Sequence, residues 1–209
     1  MRIVVFGASR GVGRCLVDRA LAAGHEVTAA SRNGAAWNTV HHRLRVVRCD
    51  VLNTASVDRA MKGHDVVFAT LGADSRGPTN LYSVGARAIV RAMQMHGIRR
   101  FVFLSNFGVL DEKAIGLRQQ VLLLLARRVL RHTLTDHREA LDVIQKHAAD
   151  WVAVRPLAMT NDAGIGHYRT SVYGLPPGGT HIARADVADF LLRQATDDMY
   201  LRTAPAIAY

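Results

Sequence analysis

The sequence predicts an α/β fold, a single domain built on a doubly wound parallel sheet. Short β-branched runs alternate with helical patterns from one end of the chain to the other. The runs are continuous rather than alternating in hydrophobicity, as strands covered on both faces are. Strands separated by helices imply right-handed crossovers, which wind such a sheet in both directions from its middle. A length of 209 residues suits one domain, and 49% hydrophobic with 21% charged residues excludes a disordered or fibrous chain.

The elements follow in order. Residues 3–6 read as the first strand and 12–23 as a helix, closed by Gly24 where a left-handed C-cap is wanted. Strands at 26–30 and 44–48 come next, then a short helix at 56–61 and a strand at 65–69. A turn-rich connection, 72–79, leads to a helix at 80–96 that Gly97 closes. After a fifth strand at 101–104, a long or broken helical pattern runs from 117 to 147, and a sixth strand spans 151–154. The Gly/Pro-rich stretch 161–180 is the second long connection, expected to form the lip of a substrate pocket, since long loops in compact domains tend to be functional. A last helix at 185–194 carries Val187, Phe190 and Leu191 at i, i+3 and i+4.

Between the first strand and the first helix lies Gly7-Ala8-Ser9-Arg10-Gly11-Val12-Gly13. Strand, glycine triplet and helix in that order form a dinucleotide-binding turn. Gly7 allows the tight turn, Gly11 lets the backbone approach a pyrophosphate, and Gly13 lets the helix pack on the strand. The unsatisfied N–H groups of the helix start then hold the diphosphate. The fold is therefore expected to be a Rossmann fold.

The second strand ends Ser31-Arg32-Asn33, where an NAD-specific protein places a carboxylate for the ribose hydroxyls. A guanidinium there suits a 2′-phosphate, and Arg10 in the loop offers a second cation to it. NADP is thus the expected cofactor, with NADPH preferred over NADH. Asp50 and Val51, ending the third strand, are candidates for the adenine amino group and ring, and Leu71-Gly72, after the fourth strand, for the ribose. At both places a core or turn role competes.

Charge and cysteine usage narrow the partners. The net charge is +10, and the first 105 residues hold 15 basic against 6 acidic side chains. No run of five like charges marks a nucleic-acid tail. Only three of the 27 basic residues are lysines, so an arginine-rich composition explains part of the surplus. Cys15 and Cys49 lie outside any metal-ligand spacing and read as reduced thiols of a cytoplasmic protein. The longest apolar run, 121–126, is far short of the ~20 residues a spanning helix needs. The expected partner is a small-molecule electron acceptor rather than nucleic acid or membrane, with the chain a monomer or homodimer.

These residues resemble the short-chain dehydrogenase/reductase superfamily, and the loop has the spacing of its classical members. The rest is similar to its atypical NAD(P)H-binding branch, which includes flavin reductase, also called biliverdin-IXβ reductase. The likeness runs through Asp50-Val51-Leu52, residues 83–87, residues 151–156 with the post-strand proline Pro156, and residues 184–188. It implies that Gly7, Ser9, Arg10, Gly11, Val12, Gly13, Ser31, Arg32, Asp50, Val51, Leu71, Gly72, Ser105 and Pro156 hold the cofactor. It also implies a substrate pocket built from about 106–135 and 156–183.

Classical members pair a serine after the fifth strand with a Tyr-x-x-x-Lys. Ser105 stands at the serine position and is the candidate catalytic residue, open between a bond to the carboxamide, a bond to substrate and a plain strand-end role. None of the five tyrosines has a lysine four residues on. The acid that protonates a ketone oxygen is therefore missing. A flavin or quinone delocalises the added charge and takes its proton from solvent, so positioning does most of the work. The loop 155–159 also lacks the histidine of the flavin and biliverdin reductases. The expected activity is NADPH-dependent reduction of a flavin, quinone or similar planar molecule; the alternative is a regulator that senses NADP(H) without turning it over. His132 and His137, on the long helical stretch, stay open between pocket donors and surface residues, and Arg155 between a pocket role and a salt bridge. The apolar positions of 117–131, Leu117, Val121, Leu124, Leu125 and Val129, suggest a pocket lid or a subunit contact.

Overall fold

The computed structural model describes residues 1–34, 40–75, 77–110 and 117–209, except the side chains at 118, 119, 122 and 126. Arg76 of the first long connection, the Arg118 side chain, and residues 111–116 of the expected pocket region lie outside what is described.

Eight strands form one sheet in the order β3-β2-β1-β4-β5-β6-β10-β8. The six predicted strands are all present: β1 (Arg2–Phe6), β2 (Glu26–Ser31), β3 (Leu44–Arg48), β4 (Val66–Ala69), β5 (Arg100–Leu104) and β6 (Asp150–Pro156). They pair in parallel, with Ile3 opposite both Val27 and Val66. The fold is the doubly wound Rossmann arrangement. Beyond β6, the short β10 (Ala206–Ala208) pairs in parallel and β8 (Arg169–Ser171) closes the edge antiparallel. A separate two-stranded piece joins β7 (Ala158–Thr160) to β9 (His181–Ala183). These four three-residue strands are too short to show a period, so sequence pattern passes over them.

Alternation within β1 shows how the sheet is covered on both faces. Val4 and Phe6 point to one side, packing with residues of α2 (Thr54–Met61), α3 (Leu81–Met95) and α5 (Arg131–His147). Ile3 and Val5 point to the other, against α1 (Gly11–Ala22) and α6 (Arg184–Arg193). The long helical pattern proves to be broken, with α4 (Leu117–Val129) separated from α5 at Leu130. Among the described side chains of α4, Leu123 turns inward, joining Phe107, Leu157 and Leu175, whereas Leu117, Val121, Leu124, Leu125 and Val129 are exposed. The expected lid face therefore points away from the core.

Two buried carboxylates tie the loops near the sheet's carboxyl edge. Asp136 on α5 accepts the amides of Tyr82 and Ser83 at 2.9 Å each, capping α3. Asp186, in the first turn of α6, accepts from the amides of Ile165 (2.8 Å) and Gly166 (3.2 Å) and from the Tyr209 hydroxyl (2.6 Å). The second long connection is thereby anchored where it returns toward the sheet. No described helix is long and apolar enough to cross a membrane.

Candidate functional site

The strand order reverses direction at β1, between β2 and β4, and open α/β sheets bind ligands at the carboxyl ends of such neighbours. A cleft of about 550 Å³ opens there, bordered by the loop after β1, the ends of β2 and β3, and the segment after β4.

Backbone chemistry shapes its floor. Gly7 has φ +85°, and a Cβ on it would stand 2.5 Å from the Thr70 carbonyl oxygen. A Cβ on Gly13 would stand 2.2 Å from the Gly7 carbonyl oxygen. Only glycine lets α1 pack this closely on β1. Helix α1 then starts at the cleft with Arg10 as N-cap, no side-chain cap bond and no acid in its first turn. Its first amides are left to an anion.

Arginines surround that helix start. Arg10 Nη2 lies 2.6 Å from Asp74 Oδ1, and Arg32 Nη2 lies 2.5 Å from Asp74 Oδ2. Two guanidiniums from β1 and β2 loops thus converge on one carboxylate carried by the segment after β4. Hydrogen bonds from Arg32 first and Arg10 second hold the Asp74 carboxyl below its ordinary range. A third cation, Arg184, lies over the glycine loop, where a Cβ on Gly11 would meet its side chain at 3.7 Å. Its guanidinium donates to Asn161 Oδ1 (2.8 Å) and the Met159 carbonyl (3.2 Å).

The remaining walls are largely apolar, from Val51, Leu71, Leu81, Leu104 and Met159. Ser31 Oγ, on the wall, is buried and has no hydrogen-bond partner among the described residues. Such a group is an exception that asks for a ligand or water. The Cys49 thiol also lines the cleft, its pKa pushed up by burial.

Of the residues expected at a cofactor, Gly7, Ser9, Arg10, Gly11, Val12, Ser31, Arg32, Val51, Leu71 and Gly72 border this one cleft. Four do not. Gly13 works from beneath, as the helix-to-strand contact. Asp50 turns its carboxylate to the Leu52 amide (3.0 Å), shaping the corner after β3. Pro156 is the last residue of β6, buried opposite Ile207. Ser105 is buried just beyond Leu104, its amide bonded to Val154 and its Oγ without a partner among the described residues.

Other candidates land elsewhere. His137 is neither a surface residue nor on the cleft wall: it is fully buried, stacked on Tyr82 at 3.7 Å and edge-on to Phe103. Burial pushes its pKa down to about 3. His132 is half-buried and faces its neighbour Arg131. Arg155 is fully buried and donates to the Ala204 carbonyl at 2.6 Å, away from the cleft. No described residue of 106–135 lines the cleft, and Met159 does so from 156–183. Sequence reasoning missed Asp74, Arg184 and Met159. Asp74 sits inside the connection singled out for its length, whereas only the tertiary fold brings Arg184 to the glycine loop.

Comparisons with known proteins agree with this geometry. A family model described as NAD(P)H-binding matches residues 7–198. Cinnamoyl-CoA reductase 1 of Oryza sativa subsp. japonica is 32% identical over 117 residues, 51% of this chain and 34% of that protein. An uncharacterised protein of Mycobacterium tuberculosis is 34% identical over 108 residues, 51% of this chain and 12% of that protein. The matches thus span about a third or less of these relatives' length. Among solved structures, a wide-type short-chain dehydrogenase/reductase of Veillonella parvula in complex with NADP superposes with TM-score 0.84 at 19% identity. It covers 100% of this chain and 94% of its own. An anaerobillin reductase of Escherichia coli O157:H7 superposes with TM-score 0.81 at 20% identity, covering 100% and 97%. Likeness at that identity is likeness of fold. Matched across most of its length and folded around a glycine-loop cleft, the chain belongs to the NAD(P)H-binding family.

Proposed function

We propose that the cleft prefers NADPH over NADH and that the protein is an oxidoreductase that reduces a planar, redox-active small molecule, a flavin or a quinone. The observation that carries the cofactor choice is the convergence of Arg10 and Arg32 on the Asp74 carboxylate, an anion held where a 2′-phosphate would lie. The planar forks of two arginines suit a phosphate far better than a ribose hydroxyl. The uncapped start of α1 and Arg184 would take the diphosphate, and Val51 and Leu71 the adenine and its ribose.

A nicotinamide held in the cleft would supply the hydride. The chain's own contribution is placement. Leu104 and Met159 give the far end of the cleft apolar walls for flat rings and keep water away, and the Ser105 hydroxyl, without a partner among the described residues, stands next to Leu104. The ionisable side chains on the described lining are Arg10, Arg32, Arg184, Asp74 and the Cys49 thiol. None is a general acid suited to neutral pH. An acceptor that spreads the incoming charge over its rings needs no such acid. One of the solved neighbours is described as an anaerobillin reductase, which supports the reading of a reductase.

Incubating the protein with NADPH and FMN, FAD or a quinone, and following the nicotinamide absorbance, tests the proposal. Oxidation above the protein-free rate is expected. Tight NADPH binding with no oxidation by any acceptor replaces this reading with that of an NADP(H)-sensing regulator.

A further inference from the structure

We propose that Asp74 is a built-in competitor for the cofactor's 2′-phosphate, which lowers the affinity for NADPH without touching that for NADH and so sets how strongly the site discriminates between them. The inference rests on the cofactor reading above and adds a residue to it.

The geometry makes the competition direct. Both guanidiniums that would grip a 2′-phosphate spend a hydrogen bond on Asp74, one on each carboxylate oxygen, at 2.6 and 2.5 Å. Binding a phosphate between them requires those bonds to be exchanged, and a carboxylate left nearby repels the new dianion. A cofactor with a bare ribose asks nothing of these arginines and leaves the bridge intact. Asp74 is charged across the physiological range, because both arginines stabilise its ionised form.

The carboxylate is also held in place from behind. The amide of the preceding residue, Ala73, donates to the Tyr82 hydroxyl at 3.0 Å. Tyr82 is itself fixed by the Asp136 cap on its amide and by its stack on His137. The acid therefore stands on a supported segment, next to the two cations and not on a free tail. In the absence of phosphate it keeps two like charges from facing each other alone, which keeps the arginines oriented.

The test compares wild type, Asp74→Asn and Asp74→Ser by calorimetric titration with 2′,5′-ADP and with 5′-AMP, which carry the adenosine with and without the 2′-phosphate. Both variants are expected to bind 2′,5′-ADP about three- to tenfold more tightly than wild type, the scale of exposed ion pairs given up, with 5′-AMP unchanged. Thermal melting confirms that each variant is folded. Weaker or unchanged 2′,5′-ADP binding in both folded variants overturns the inference while leaving the cofactor reading in place. Equal affinity of wild type for the two nucleotides, or no binding of either, overturns the cofactor reading and the inference with it.

Discussion

Asp136 caps a helix to which it does not belong: from α5 its carboxylate accepts the Tyr82 amide at the start of α3, at 2.9 Å, with the Ser83 amide at the same distance on the other oxygen. Asn80, the N-cap by position, makes no side-chain cap bond. Replacing Asp136 with Ala leaves two buried amides without an acceptor, a loss of about 2 kcal/mol in unfolding free energy. Asp136→Asn, which keeps one acceptor oxygen, should lose roughly half as much. Urea denaturation of the three proteins at neutral pH measures it.

Gly13 gives a sharper expectation. A Cβ there would lie 2.2 Å from the Gly7 carbonyl oxygen and 2.5 Å from Thr70 Oγ1. Both neighbours belong to the strand ends that form the cleft floor, so α1 must move outward to admit it. Gly13→Ala should lower stability by about 3 kcal/mol, the scale of overpacking against backbone. Any folded fraction should fail to bind NADPH in a fluorescence titration, because the helix start no longer meets the diphosphate.

Much of this was legible in the sequence, and the failures share a cause. The six main strands, the glycine loop and the pair Arg10–Arg32 follow from local pattern, since each depends on residues within one βαβ unit. Asp74 and Arg184 reach the cleft across 64 and 173 residues of chain from Arg10 and Gly11, and no period or spacing encodes such a meeting. His137 shows the same limit from the other side. A histidine on a helix with charged neighbours reads as exposed, yet it faces Tyr82 and Phe103 because α5 packs broadly on α3. The four three-residue strands depend wholly on partners brought by tertiary contact.

That buried histidine makes stability depend on acid. Burial lowers the His137 pKa from 6.5 to about 3, so below pH 6.5 the unfolded chain takes up a proton that the folded chain refuses. Its contribution is therefore complete above pH 6.5 and falls as the pH drops toward about 3. Between pH 7.5 and 5 the loss amounts to about 2 kcal/mol. His137→Phe keeps a ring against Tyr82 and removes the titration, so its unfolding free energy should fall by that much less over the same interval. Urea midpoints of the two proteins at pH 7.5, 6 and 5 check the difference.

The arginine pair predicts a selective loss. Arg10→Ala together with Arg32→Ala removes both forks proposed to face a 2′-phosphate. The side chains are more than half exposed, so solvent tempers each bond. The pair together should contribute about 2 kcal/mol, roughly thirtyfold in NADPH affinity. NADH binding should stay within about twofold, since the helix start and Arg184 are untouched. Equal losses for both cofactors would place the arginines elsewhere than on the 2′-phosphate.

Replacing Ser105 is expected to separate binding from turnover. Its hydroxyl is buried and without a partner among the described residues, one residue past the Leu104 wall and at the end of β5. A buried hydroxyl left unsatisfied carries a desolvation cost unless a ligand meets it. If that ligand is the acceptor or the carboxamide in the reacting arrangement, Ser105→Ala should leave stability unchanged or slightly raised. It should lower kcat with NADPH and a flavin or quinone by about tenfold, the scale of one neutral hydrogen bond. NADPH affinity should change little, because in the proposed binding mode the phosphates anchor the cofactor at the glycine loop. Steady-state kinetics beside a melting curve distinguish this from a plain strand-end serine, whose loss would move neither kcat nor KM.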